Sequence, residues 1–180
     1  KEAESRGLLN LKTTPDALPY FKIEENIALF ERQKVLSKEE VESRYEILMD
    51  EYEKQINIEA LTMLDIAKKD ILPAASKFSK ELTDTITNKK AIGIDLTYEL
   101  ETAKKVSEYL TEAYQAMMTL ENDVKKLHEI DDFEKSAFYV RDFIIQDMAA
   151  LRKPCDELEV ITSNRDWPFP TYGKLLFGIQ

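Results

Sequence analysis

The chain has 180 residues, a formal net charge of −10, four glycines, six prolines, one cysteine and one histidine. So few glycines and prolines leave little material for tight turns, which disfavours a many-stranded fold. An acidic surface also argues against nucleic acid, whose phosphates need basic partners. The lone cysteine, Cys155, excludes an internal disulfide and fits a reducing, cytoplasmic setting. No apolar run approaches the roughly 20 residues that span a bilayer, so no membrane partner is expected. The sequence opens Lys1-Glu2-Ala3 with neither methionine nor a signal-peptide pattern, and reads as cut from a larger protein.

Taken in order, Lys1 to Arg6 reads as the last turn of a helix ended by Gly7 at a left-handed position. Leu8, Leu9 and Leu11 follow. Thr14 then serves as an N-cap, with Pro15 at the first helical position and Asp16 in the first turn. Pro19 should keep that helix short. Tyr20, Phe21, Ile23, Ile27, Leu29 and Phe30 make one compact aromatic-rich helix before a linker at residues 33–36. Residues 1–36 are too apolar for their size to stay in water, and are expected to dock on the long helix.

The dominant element is one very long helix from Ser37 to about Thr87. Ser37 and Glu40 have capping-box spacing, and Leu36 and Val41 stand at hydrophobic-staple positions. Apolar residues then return every three or four places, from Val41, Tyr45, Leu48 and Tyr52 to Phe78, Leu82 and Ile86. At 1.5 Å per residue this spans roughly 75 Å. From Gln55 to Ala67 the helix is apolar nearly all round, which predicts neighbours on several sides. Pro73 falls inside it with no cap or turn nearby, and predicts a kink instead of a stop.

A loop at residues 88–95 holds Gly93, with Asp95 as N-cap of a second helix. Ala103, Val106, Leu110, Ala113, Met117, Leu120, Val124 and Leu127 alternate steps of three and four, which is coiled-coil spacing. After a turn near Glu129 to Asp132, Asp131 and Glu134 cap a third helix. Its stripe is Phe133, Ala137, Val140, Ile144, Leu151, Cys155 and Leu158, widened by Phe143 and Met148 and interrupted by Pro154. Residues 37–163 therefore read as an elongated, all-α, up-down-up bundle. Residues 164–180 form a tail rich in tryptophan and proline, extended because of Pro168 and Pro170. Its apolar groups either fold back onto the bundle or insert into a neighbouring domain or subunit.

The first helix is longer than the second by roughly 25 Å, so its start should overhang. Tyr45, Leu48, Met49 and Tyr52 would be stranded there, to be covered by residues 8–30 or by a missing domain. With Trp167, Phe169, Tyr172 and Phe177 of the tail they are the candidate packing and interface residues. Chemistry is nearly absent. His128 has no second histidine to join in a metal site and reads as a helix-end dipole partner, and Cys155 reads as a small core residue. There is no phosphate-binding glycine loop, so no catalytic, cofactor or metal residue is assigned.

Several long strings nevertheless point to a family. Glu42-Ser43-Arg44-Tyr45-Glu46-Ile47-Leu48, INIEALTMLDIAKKDILPA over residues 56–74, SRGLLNLKTTPDALPYF over residues 5–21 and WPFPTYGKLLF over residues 167–177 resemble the C-terminal region of type III glutamine synthetases. The resemblance runs in the family's order over essentially the whole chain. It implies large bacterial and cyanobacterial enzymes that join ammonia to glutamate with ATP and magnesium or manganese, assembled as double hexameric rings. In them the metal ligands and nucleotide site lie in a preceding α/β domain. The resemblance thus implies a non-catalytic helical appendage, its partners being its own catalytic domain and neighbouring subunits. Two roles stay open: assembly and stability of the oligomer, or regulation through an effector or protein bound to the acidic bundle.

Overall fold

The long helix starts as its capping box dictates. In the computed structural model, which describes residues 2–170 and 172–178, the Ser37 amide donates to Glu40 Oε2 at 2.8 Å. The Glu40 amide returns the bond to Ser37 Oγ at 3.2 Å, and Val41 is buried one turn in. All regular structure among the described residues is helical: α1 (Glu2–Ser5), α2 (Thr14–Phe21), α3 (Glu24–Arg32), α4 (Lys38–Ile66), α5 (Leu72–Ala91), α6 (Thr97–Leu127), α7 (Phe133–Tyr139), α8 (Ile145–Ile161) and α9 (Tyr172–Phe177). One π turn, Ala67–Ile71, joins α4 to α5, and another, Val140–Ile144, joins α7 to α8.

Residues 38–91 are thus one kinked helix. The Leu72 amide bonds to the Ala67 carbonyl, five residues back instead of four. That extra residue is inserted directly before the place where the Pro73 ring would press on the carbonyl row. The third helix behaves differently from expectation. Pro154 does not interrupt it: the residue lies inside α8 and is buried in its apolar stripe, and the helix continues to Ile161. The irregularity of that helix falls instead at Val140–Ile144. A single lost hydrogen bond is tolerated when the ring that causes it is packed in the core.

The chain packs as two compact units, residues 1–59 with 123–146 and residues 60–122 with 147–180. In the second unit, Leu64, Ala67, Ala75 and Leu82 of the long helix are buried. So are Val106, Ala113, Met117 and Leu120 of α6 and Leu151, Cys155 and Leu158 of α8. The heptad spacing of α6 is what puts those groups on one seam, with Ala103 and Leu110 half-buried in it. Ion pairs tie the edges: Lys68 to Glu121 at 2.7 Å, Lys77 to Asp166 at 3.0 Å, and Lys89 to Glu99. The expected loop at residues 88–95 is shorter than predicted, because α5 runs to Ala91. Gly93 then takes φ +72°, and the Ile94 amide reaches back to the Lys89 carbonyl at 3.2 Å, closing the helix as a Schellman motif. Asp95 Oδ1 accepts from the Thr97 amide at 3.2 Å.

The first unit corrects the reading of the N-terminal segment. The N-cap is Thr13, whose hydroxyl accepts from the Asp16 amide, one residue before the expected Thr14. Pro19 does not end α2, which continues through it to Phe21. The single aromatic-rich helix is instead two, α2 and α3, broken at Lys22 and Ile23, with Phe21 and Phe30 packed at 5.5 Å between ring centres. The N-cap of α7 is Asp132, not Asp131: its carboxylate accepts from the Lys135 amide at 2.8 Å.

One local strain yields a prediction. At the end of α3 the Val35 amide bonds the Phe30 carbonyl at 3.0 Å, the long closing bond of a Schellman motif, and the left-handed position is filled by Lys34 at φ 56°. A side chain there crowds the following carbonyl, at a cost of about 1–2 kcal/mol that glycine avoids. Lys34→Gly is expected to raise stability by about 1 kcal/mol, after allowing for glycine's greater freedom in the unfolded chain. A urea midpoint that falls would show that the turn needs the lysine.

Candidate functional site

The residues expected to be stranded near the start of α4 are mostly interior. Tyr45 is 2% exposed and forms a cluster with buried Met49 and Ala137, against which Leu18, Tyr52, Phe133 and Phe138 pack. The cover therefore comes chiefly from α7, with Leu18 of α2 added, and the expected overhang is filled by the third helix. Asn57 of α4 meets His128 just past α6, with Asn57 Nδ2 3.1 Å from His128 Nε2, whereas Tyr45 meets Phe133 edge-on at 6.0 Å. Those two positions on α4 are twelve residues apart, about 18 Å of helix. Residues 129–132 bridge that distance, so α7 begins well beyond the end of α6.

A polar clasp lies over this cluster. The Tyr45 hydroxyl donates to Glu134 Oε1 at 2.5 Å, and Lys22 Nζ donates to the same oxygen at 2.9 Å while standing 3.7 Å above the Tyr45 ring. The Tyr45 hydrogen bond, then Lys22, hold the Glu134 carboxyl below its usual range. Burial, then the Glu134 carboxylate, push the Tyr45 hydroxyl up. Both groups are thereby fixed in one protonation state near neutrality, which suits a joint and not an acid–base pair. A second link runs from Arg141 to Asp16 at 2.5 Å, with Asp142 on the other side of the guanidinium at 2.7 Å. Together they bind α2 to the third helix. Sequence reasoning missed the clasp: Glu134 looked like half of a capping box, and nothing local ties it to a lysine 112 positions away.

The other sequence-flagged groups show no converging chemistry. Cys155 is buried, and burial raises its thiol pKa to about 11, so it is not a nucleophile at neutral pH. Among the described residues, no three His, Cys, Asp or Glu side chains are placed to hold a metal ion. Among them, too, no helix is long and apolar enough to cross a membrane.

What the first unit does present is a groove of about 860 Å³. Phe21, Leu36, Ile47 and Leu48 line it together with Glu39, Glu40, Ser43, Arg44 and Glu51. Ile47 and Leu48 are 52% and 41% exposed. Leu48, expected beside Tyr45, points away from the cluster because one residue turns a helix by about 100°. Farther along, Ile58 and Leu61 are also exposed, so residues 55–67 are not enclosed on all sides as their composition predicted.

In the tail, Trp167 is half-buried and meets Phe169 edge-on at 6.2 Å. Beyond the prolines the chain does not stay extended but turns into α9. There Leu175, Leu176 and Phe177 are 65%, 71% and 80% exposed. The Tyr172 side chain lies outside the described residues.

A family model described as "Glutamine synthetase C-terminal domain" matches residues 1–90, the N-terminal segment and nearly all of the long helix. The chain belongs to this glutamine synthetase C-terminal domain family. It is 37% identical over its whole length to a glutamine synthetase of Butyrivibrio fibrisolvens. It is 32% identical, over 97% of its length, to a type-3 glutamine synthetase of Dictyostelium discoideum. A glutamine synthetase of Bacteroides fragilis is 25% identical over 98% of the chain. The chain spans about a quarter of the length of each: 26%, 25% and 25%. The resemblance read from the residue strings is therefore correct at the level of family and region, and the helical glutamine synthetase C-terminal domain is all-α as expected.

Proposed function

We propose that this C-terminal domain is non-catalytic and serves the assembly or stability of a longer, cytoplasmic type III glutamine synthetase. Its partners are the preceding catalytic region and neighbouring subunits. By resemblance the parent ligates ammonia to glutamate with ATP and magnesium or manganese, and those ligands belong to the preceding region. One observation carries the reading: Ile47 and Leu48 in the groove, and Leu175, Leu176 and Phe177 in the tail, are large apolar groups left in contact with water. An effector pocket would bring several polar groups to one point around an enclosed cavity. This groove is open and most of its exposed lining surface is apolar, which favours docking over effector sensing.

The test compares a full-length parent enzyme with one cut before the position of Lys1. The truncated enzyme is expected to sediment as a smaller oligomer and to lose activity at lower temperature. The domain alone is expected to form no γ-glutamyl hydroxamate above a boiled control. Normal oligomer size with normal heat resistance would refute the assembly role, and hydroxamate formed by the domain would refute its being non-catalytic.

A further inference from the structure

The face of α4 turned away from the Tyr45–Met49 cluster has an order of its own. Ile47, Glu51, Lys54 and Ile58 follow one another at steps of four, three and four, so they form one line along the helix. Buried Tyr45 and Met49, each two residues from Ile47, lie about 200° round the helix from it, on the opposite side. Ile47 is 52% exposed and Ile58 is 64% exposed. The line therefore runs apolar, acidic, basic, apolar. Laid on itself in reverse, it places base on acid and isoleucine on isoleucine. Laid on itself in parallel, it would set Glu51 on Glu51 and Lys54 on Lys54, so the charges select one direction.

We infer that α4 of one copy of this chain packs antiparallel against α4 of a second copy, about a two-fold axis that passes between Glu51 and Lys54. This deepens the assembly reading above and rests on it. Ile58 of each copy comes onto Ile47 of the other, inside the groove that Phe21 and Leu36 also line. Glu51 of each copy meets Lys54 of the other, once on either side of the axis. Lys54 keeps Asp50 of its own helix, 2.6 Å away. That pair is exposed, and an ammonium with three protons serves both carboxylates. The isoleucines supply the attraction, and the charges set direction and register. Because the same patch is used by both copies, the contact closes at two.

The test uses the whole chain and two charge variants of it. Sedimentation across a concentration series should show a monomer–dimer equilibrium for the wild-type chain. Glu51→Lys and, separately, Lys54→Glu set like charges across the axis, and each should weaken dimerisation about tenfold. The two variants mixed together should associate as tightly as the wild-type chain does with itself, because every acid then faces a base again. Loss of the Asp50–Lys54 pair within one helix cannot produce that rescue. Ile58→Asp should give monomer with unchanged circular dichroism, whereas Val160→Asp, on an exposed face of α8, should leave the dimer intact. A wild-type chain that stays monomeric throughout the series, or a mixture that associates no better than its parts, would overturn the inference. In the longer synthetase the two readings separate. If Ile58→Asp leaves the oligomer intact while deletion of the domain breaks it, the α4 contact is wrong and the assembly role stands. If neither change affects the oligomer, both are wrong.

Discussion

Tyr45→Ala is expected to cost about 3–5 kcal/mol, the range for truncating a buried aromatic side chain. Tyr45 is among the largest fully buried residues and stands at the meeting point of α2, α4 and α7. Removing it opens a cavity bounded by Met49, Phe133 and Ala137, all of them held by helices that cannot collapse far inward. The polar side of the loss is smaller. Glu134 loses its hydroxyl donor but keeps Lys22 at 2.9 Å, and its side chain is 42% exposed, so water replaces much of what is lost. Tyr45→Phe separates the two effects. It keeps the ring and the lysine above it while removing only the hydroxyl, and is expected to cost about 1 kcal/mol. With a urea slope of about 2 kcal/mol per molar, the alanine variant should shift the midpoint by about 2 M and the phenylalanine variant by about 0.5 M. Equal shifts for the two would mean that the hydrogen bond, and not the packing, holds this joint.

What could be read from the sequence was whatever is decided within a turn or two of chain. The Ser37–Glu40 capping box and the α6 seam depend on neighbours three to seven residues away, and each appears where its spacing puts it. The errors fall where adjacent residues are chemically equivalent or where the deciding partner is distant. Thr13 and Thr14, like Asp131 and Asp132, are equally good caps by residue type, and the second of neither pair is marked off from the first by its neighbours; the caps are Thr13 and Asp132. Pro19 and Pro154 read as limits on their helices because the local cost is plain, yet both helices continue through them, and the burial of Pro154 offsets much of that cost. The π turns carry no sequence mark beyond Pro73 itself. The overhang was expected because helix lengths were summed while the connection of residues 129–132 was given no length of its own. That connection is what brings Phe133 to Tyr45. The groove could not be read at all, since Phe21 and Leu48 meet only through the fold.

Deleting residues 1–30 is expected to lower the melting temperature by about 10 °C and to promote self-association. The segment removes apolar surface from water on its own account, through buried Pro15 and through Leu18 on the Tyr45–Met49 cluster. Its loss would uncover part of that cluster as well. At about 1.5–3 kcal/mol for each large apolar side chain, the sum is about 3–5 kcal/mol, and a chain of this size loses roughly 2–4 °C per kcal/mol. The ion pairs Lys22–Glu134 and Asp16–Arg141 add little, because their side chains are between 26% and 42% exposed and such pairs contribute about 0–1 kcal/mol each. Acid distinguishes the two contributions. Glu134 is held below its usual pKa first by Tyr45 and then by Lys22, and Asp16 first by Thr13 and also by Arg141. A carboxyl depressed in the folded state adds stability above its unfolded pKa and loses it as pH falls through its folded one. If the salt links held the segment down, the gap between full-length and truncated chains would close on going from neutral pH to below the carboxyl range. Because apolar burial carries most of it, the gap in melting temperature should survive there largely intact. A truncated chain that melts and sediments like the parent at neutral pH would show that α2 and α3 rest on the first unit without stabilising it.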